Sequence, residues 1–388
     1  MPRGLFTRRN LLSFGAASLV SASIAPFSKL GYRRYQVYQL SRKERSFDVA
    51  DDRSLAERAA AKGFLYGAAT QHQLLAQNPA FAAAFLKECG FLVTENDLQW
   101  KEVHPLPRQF NFSAADALVE FAASNKLLFR GHNLVWHNCL PDWYQEVVNS
   151  HNAEQILVNH VQTVVGRYAG KVHSWDVVNE AIEPKDNRSD RLRRTPWVEF
   201  LGPSYVDLAF RVAAAADPQA MLIYNDYGLE YDTPEHEAKR DAVLTLLQQL
   251  KAQGTPVHGF GMQSHLYAHI TRFNPEKLRR FLADVASLGL KILVTELDVV
   301  DRDLPADITV RDRIVASAYE DYLDVVLDEP AVIAVLTWGL SDRYTWLSES
   351  QPRSDGLPVR PLPLDENMNR KLAWNAIARA FDRRPSVS

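Results

Sequence analysis

Cysteine is nearly absent: Cys89 and Cys139 are the two in 388 residues. That excludes a disulfide scaffold, and spacing alone does not decide whether the two are bridged. An excess of one charge is missing too. Against 47 acidic residues stand 44 basic ones, for a net charge of −3. No basic face is left for nucleic acid, and charged substrates would gain little steering. There is no uninterrupted apolar run of the roughly 20 residues that a membrane-spanning helix needs. No Gly-x-Gly-x-x-Gly follows an early strand, and no phosphate cradle, thiol nucleophile or serine elbow is evident. Neither a repeat nor a Pro/Ser/Thr-rich linker divides the chain. What is present suits a large globular core, with 46% hydrophobic and 23% charged residues. Aromatics are plentiful, including 8 Trp and 14 Tyr.

The first residues read as a targeting segment. Thr7-Arg8-Arg9-Asn10-Leu11-Leu12 is a twin-arginine start, and no further charge occurs until Lys29. Leu11–Ala25 is apolar but short and rich in Ala and Ser, which points to an export signal rather than a membrane span. Ser23-Ile24-Ala25 resembles a small-residue cleavage site, although Pro26 follows it directly. The expectation is a signal over 1–28, cleaved or kept as an anchor, a basic tether over 29–46 and one folded domain over 47–384. Export to the periplasm or beyond the cell follows.

From residue 47 the chain alternates. Short apolar runs fall at Phe64–Thr70, Phe91–Asn96, Leu128–Trp136, His173–Glu180, Met221–Tyr227, Gly259–His265, Lys291–Asp298 and Val335–Leu340. They are continuous rather than alternating, as strands buried on both faces are. Helical stripes lie between them, such as Leu157, Val161, Val164 and Tyr168, and Val243, Leu246, Leu247 and Leu250 before Gly254. Asn274-Pro275 opens the stripe Leu278, Phe281, Leu282 and Val285 as a cap and first helical residue. Ser113 with Asp116, and Ser204 with Asp207, resemble capping boxes. Residues 365–382 fit a closing helix. Eight strand–helix units predict an α/β fold, a single (β/α)8 TIM barrel, over a doubly wound open sheet.

Active sites of such barrels sit at the C-terminal ends of the strands. Those ends carry Glu95 and Asn96; His132, Trp136 and His137; Asn179 and Glu180; Asn225 and Asp226; Gln263 and His265; Glu296 and Asp298; then Trp338, with Asp342, Arg343 and Trp346 beyond. Amides, carboxylates, imidazoles and indoles suit a neutral, hydroxyl-rich ligand, with indole faces against sugar C–H surfaces. Two acids on the fourth and seventh strands suggest glycoside hydrolysis by a carboxyl pair. The histidines with Asp298 could instead bind metal. Against that, the first strand ends in Gln71-His72-Gln73, with one histidine where such sites want a His-x-His pair. A non-catalytic polysaccharide-binding barrel is a further alternative, opposed by the presence of both acids.

Several segments carry a resemblance to family 10 glycoside hydrolases, the endo-1,4-β-xylanase family, over about residues 54–380. They are Thr94-Glu-Asn-Asp-Leu-Gln-Trp100, Arg130-Gly-His-Asn-Leu-Val-Trp-His137, Trp175-Asp-Val-Val-Asn-Glu-Ala181, Asn225-Asp226-Tyr227, Gly261-Met-Gln-Ser-His265, Thr295-Glu-Leu-Asp298 and Thr337-Trp-Gly339 with Asp342. The resemblance implies a retaining enzyme with Glu296 as nucleophile and Glu180 as acid/base. The two carboxyl groups would lie roughly 5–5.5 Å apart. Asn179 would bond the sugar 2-hydroxyl, and His265, backed by Asp298, would hold Glu296. Glu95, Asn96, Gln99, His132, Trp136, Gln263, Trp338 and Trp346 would contact substrate. It implies xylan or xylo-oligosaccharides as substrate, with aryl-cellobiosides or mixed β-glucan as the alternative. No metal or organic cofactor is needed, no nucleic acid or stable membrane partner is expected, and the chain is expected to act as a monomer. Two places depart from the family pattern. Gln99 stands where the family usually has Lys, which predicts altered binding of the second sugar on the non-reducing side. Cys139 stands where a polar residue is usual.

Overall fold

Eight apolar runs become nine strands joined in parallel. They are β1 (Leu65–Thr70), β2 (Phe91–Thr94), β3 (Leu128–Gly131), β4 (Ser174–Asn179), β5 (Met221–Asp226), β6 (Gly259–Met262), β7 (His265–Tyr267), β8 (Lys291–Val300) and β9 (Val332–Thr337). The computed structural model describes residues 45–269 and 273–385. The expected signal, 1–28, and nearly all of the tether, 29–46, lie outside those residues. A compact unit begins at Phe47.

Each strand pairs with its neighbour in turn, β9 returns to β1, and β6 pairs with β8, so the sheet closes. β6 and β7 are one stave broken at Gln263-Ser264, where Ser264 has φ +67°; both halves pair with β8. The closed parallel barrel is the predicted fold. Its interior is packed by Ala69, Phe91, Val93, Ile223, Leu293, Ala334, Leu336 and Trp338. Glycine lets neighbouring staves approach: a Cβ on Gly131 would sit 2.1 Å from the Trp175 ring, and one on Gly261 2.3 Å from Asn225 Oδ1.

The expected helical stripes face inward, with Leu157, Val161, Val164, Val243, Leu247, Leu278, Leu282 and Val285 all buried. Asn274 caps Pro275–Ser287 by accepting from the Lys277 N–H. Both expected capping boxes fail. Asp116 is taken by Arg167 and Tyr168, and Asp207 by Arg211 and Thr255. A true box forms at Ser54 and Glu57 instead.

Three boundaries move furthest. The third strand stops at Gly131 because Thr94 Oγ1 holds the His132 backbone and its ring turns to Asp176; Leu134 and Val135 then rejoin β4. The last strand runs Val332–Thr337, and the chain turns away at Gly339, φ +105°. The closing helix is Leu372–Arg383, since Asp365 Oδ1 accepts from the N–H groups of Asn367 and Asn369 and makes a turn there. It buries Trp374, Ile377 and Phe381.

Candidate active site

Strand register builds the centre of the site. Asn179 on β4 pairs with Asn225 on β5, and His265 on β7 with Asp298 on β8. Asn225 Nδ2 donates to Asn179 Oδ1 at 2.9 Å and to Glu296 Oε1 at 2.8 Å. Its own Oδ1 accepts from the Thr295 hydroxyl at 2.7 Å, which fixes which end of the amide faces Glu296. Gln263, at the break in the sixth stave, donates to Glu180 Oε1 at 3.0 Å. Asn179 donates to the same oxygen at 3.3 Å. The two carboxylates are thus spanned by a single chain of amides. Glu180 takes φ +58°, uncommon for a residue with a side chain. Its N–H donates to Asn225 O, and its carbonyl accepts from Arg193 Nε at 2.9 Å.

The surroundings treat the two acids oppositely. Burial raises the Glu180 carboxyl above its ordinary range; Gln263 offsets this in part, and the Asp226 and Glu296 charges add to it. Burial presses Glu296 the same way, but His265 and His132 overcome it and hold the carboxyl below its ordinary range. His265 Nε2 lies 3.2 Å from Glu296 Oε2, and His265 Nδ1 lies 2.9 Å from Asp298 Oδ1. Burial opposes charge on this ring, yet the two carboxylates raise its pKa well above the usual value. A doubly protonated imidazolium between two carboxylates is the result. His132 is held likewise by Asp176, 2.9 Å from Nδ1, and lies 4.0 Å from Glu296. One carboxyl biased toward its protonated form beside one biased toward its ionised form is the pairing that acid–base chemistry on a glycosidic bond requires.

A model of glycosyl hydrolase family 10 matches residues 54–380. The chain belongs to family 10. It is 37% identical over 313 residues to endo-1,4-beta-xylanase B of Paenibacillus barcinonensis, covering 77% of this chain and 89% of that one. Native xylanase 10B from Thermotoga maritima superposes with a TM-score of 0.77 at 34% identity, covering 85% of this chain and 98% of that chain. Xylanase 10B from Thermotoga petrophila RKU-1 in complex with xylobiose gives 0.77 at 34% identity, over 87% and 99%.

In this family 10 chain an open cleft of about 1260 Å³ crosses the C-terminal mouth of the barrel. Glu95, Asn96, Gln99, His132, Trp136, Asn179, Glu180, Gln263, His265, Glu296, Trp338 and Trp346 all line it. Asp298 does not; it is fully buried behind His265. Glu95 is half-buried, and desolvation pushes its carboxyl up to about 7, with Gln71 as its hydrogen-bond partner. Gln99 is tied to Asn96 Oδ1 at 2.9 Å. Trp338 is buried in the barrel core, whereas Trp346 is 37% exposed. Asp226, at the end of β5, and Asp342, on the loop after β9, are structural: Lys239 Nζ lies 2.8 Å from Asp226 Oδ1, and Lys371 Nζ 2.8 Å from Asp342 Oδ2. Both cysteines are free, Cys89 buried and Cys139 half-buried.

Asn225, buried beneath the cleft, and Arg193, in its lining, contact the two acids and carry no role in the sequence analysis. Asn225 was noted at a strand end without a role. Arg193 lies on the loop after β4, where no periodicity marks it; beside the Glu180 carbonyl it also donates to the Tyr227 hydroxyl at 2.9 Å.

Proposed function

We propose that Glu180 and Glu296 hydrolyse internal β-1,4-xylosidic bonds of xylan by double displacement with retention. The observation that carries this is the amide bridge of Asn179, Asn225 and Gln263 between a half-buried Glu180 and a buried Glu296, whose surroundings tune the two carboxyls in opposite directions. In the first step a Glu296 oxygen attacks the anomeric carbon and the glycosidic C–O bond breaks. The Glu180 proton passes to the departing oxygen. A covalent glycosyl ester on Glu296 remains. Its formation removes the negative charge that helps keep Glu180 protonated. Glu180 thereby becomes the more acidic group and is left as the base the second step needs. It takes a proton from water, the water oxygen attacks the anomeric carbon, and the ester bond breaks. Two inversions leave the β configuration.

Asn179 bonds the sugar 2-hydroxyl, and Glu95, Asn96, Gln99, His132, Trp136, Gln263 and Trp338 hold the glycone side. The amide ends and indole faces suit hydroxyls and C–H surfaces respectively. All of these groups come from one chain, which supports action as a monomer. Export through the twin-arginine-type segment 1–28 is part of the same reading, supported by Arg8-Arg9 and the apolar stretch after them. Replacing both arginines with lysine should leave the enzyme in the cytoplasm on fractionation; unchanged export contradicts this route.

Reducing-sugar release from xylan and carboxymethylcellulose, by wild type and by Glu296→Ala, tests the function. Release from xylan well above that from the cellulose, abolished in the variant, is expected. Activity surviving in Glu296→Ala without an added nucleophile contradicts the mechanism.

A further inference from the structure

Trp346 stands on the loop after β9, at the start of the short helix Leu347–Ser350. It is 37% exposed and lines the cleft. Its indole nitrogen is nonetheless committed inward: Nε1 donates to Asp298 Oδ2 at 2.8 Å. The other oxygen of that carboxylate meets His265 Nδ1 at 2.9 Å, and His265 Nε2 meets Glu296 Oε2 at 3.2 Å. The indole also lies beside the imidazole, with ring centres 5.2 Å apart and planes at 56°. Four side chains form an unbroken line from the cleft surface to the nucleophile. A tryptophan that served sugar alone would need its face; this one also spends its donor on a buried carboxylate.

We propose that Trp346 is a positioning residue for Glu296, acting through Asp298 and His265. The indole N–H shares the negative charge of Asp298 and weakens its hold on the imidazole Nδ1 proton. That leaves the imidazolium charge available to Glu296. It also fixes the Asp298 carboxylate in the plane that His265 needs. Without the N–H, Asp298 draws the imidazolium proton closer and Glu296 loses part of its stabilisation. Other groups that face the relay are present in wild type and variant alike. They are His132, Asn225 and Glu180 around Glu296, Glu230 near His265, and Tyr267 and Tyr319 near Asp298. The proposal rests on Glu296 being the nucleophile.

Trp346→Phe keeps an aromatic face and deletes the N–H. The substrate for the test is 2,4-dinitrophenyl β-xylobioside, whose leaving group departs without protonation, so the acidic limb of kcat/KM follows Glu296. That limb should move to higher pH by roughly half a unit or more, with kcat lowered and KM little changed. An acidic limb superimposed on that of wild type overturns the proposal. So does a loss confined to KM, which marks the indole as a sugar platform alone. Trp346→Leu, also without an N–H, covers the case in which the phenylalanine variant does not fold, with the same shift expected. Labelling of wild type by a 2-deoxy-2-fluoro xylobioside separates the two ideas. No label on Glu296 overturns the nucleophile assignment, whereas a label together with an unmoved limb overturns only the role of Trp346.

Discussion

Glu180 and Glu296 share one functional group and one cleft, and burial presses on both; it prevails at Glu180, whereas His265 and His132 overcome it at Glu296. For kcat/KM on xylo-oligosaccharides, Glu296 must be ionised and Glu180 protonated. Activity should fall as pH drops through the Glu296 value, which lies below the ordinary 4.5. It should fall again as pH rises through the Glu180 value, which lies above 4.5. A bell-shaped profile with those limbs is predicted, and Glu180→Gln should remove the alkaline one. A flat profile from roughly pH 4 to pH 8 contradicts the assignment. Gln99 gives a second prediction. Its amide is held by Asn96, so it contributes one neutral donor where a lysine would offer a mobile charge. Gln99→Lys should lower KM for xylotriose and longer oligomers by several-fold, a change of about 1 kcal/mol. Unchanged constants would show that this position does not touch the second sugar. Both glutamates were legible in the sequence because an ionisable group ending an apolar run is costly without a task. The double role of Asn225, and the ties of Arg193 to Glu180 and of Trp346 to Asp298, were not. Each joins residues far apart in sequence, and no spacing rule records them.

The strands were legible because each is buried on both faces and so reads as an unbroken apolar run. Helix starts were less so. At Ser113 and Ser204 the acid three residues on found a tertiary partner, and a local pattern carries no information about that competition. Strand ends at the cleft were also misjudged where the backbone leaves the ladder to aim side chains, after Gly131 and at Ser264. Close packing between staves yields the prediction at this scale. A methyl group at Gly261 would meet Asn225 Oδ1 at 2.3 Å and the Thr295 methyl at 2.9 Å. Gly261→Ala should therefore destabilise the barrel by about 1–3 kcal/mol, seen as a lower melting temperature. It should also reduce kcat by more than the folded fraction explains, because the displaced amide is the one that holds Glu296. A variant with wild-type kcat and melting temperature would show that the register tolerates the methyl and that Asn225 is not confined there.

At the scale of the whole molecule, closure of the sheet gives the site its meaning. β4 and β8 are distant along the chain, with β5, β6 and β7 between Glu180 and Glu296. The curved run of pairings from β4 through β5 and β6 to β8 turns both acids toward one cleft. The succession of eight strand–helix units made that closure legible, and the pairing of β9 with β1 bears it out. The architecture further demands that one carboxyl bond the anomeric carbon while the other serves both departures from it, so the stereochemistry of the product reports the whole arrangement. Proton NMR of the anomeric signals during the first minutes of xylo-oligosaccharide hydrolysis reads it directly. The β-anomer should appear first and then mutarotate; an initial α-anomer would contradict the account.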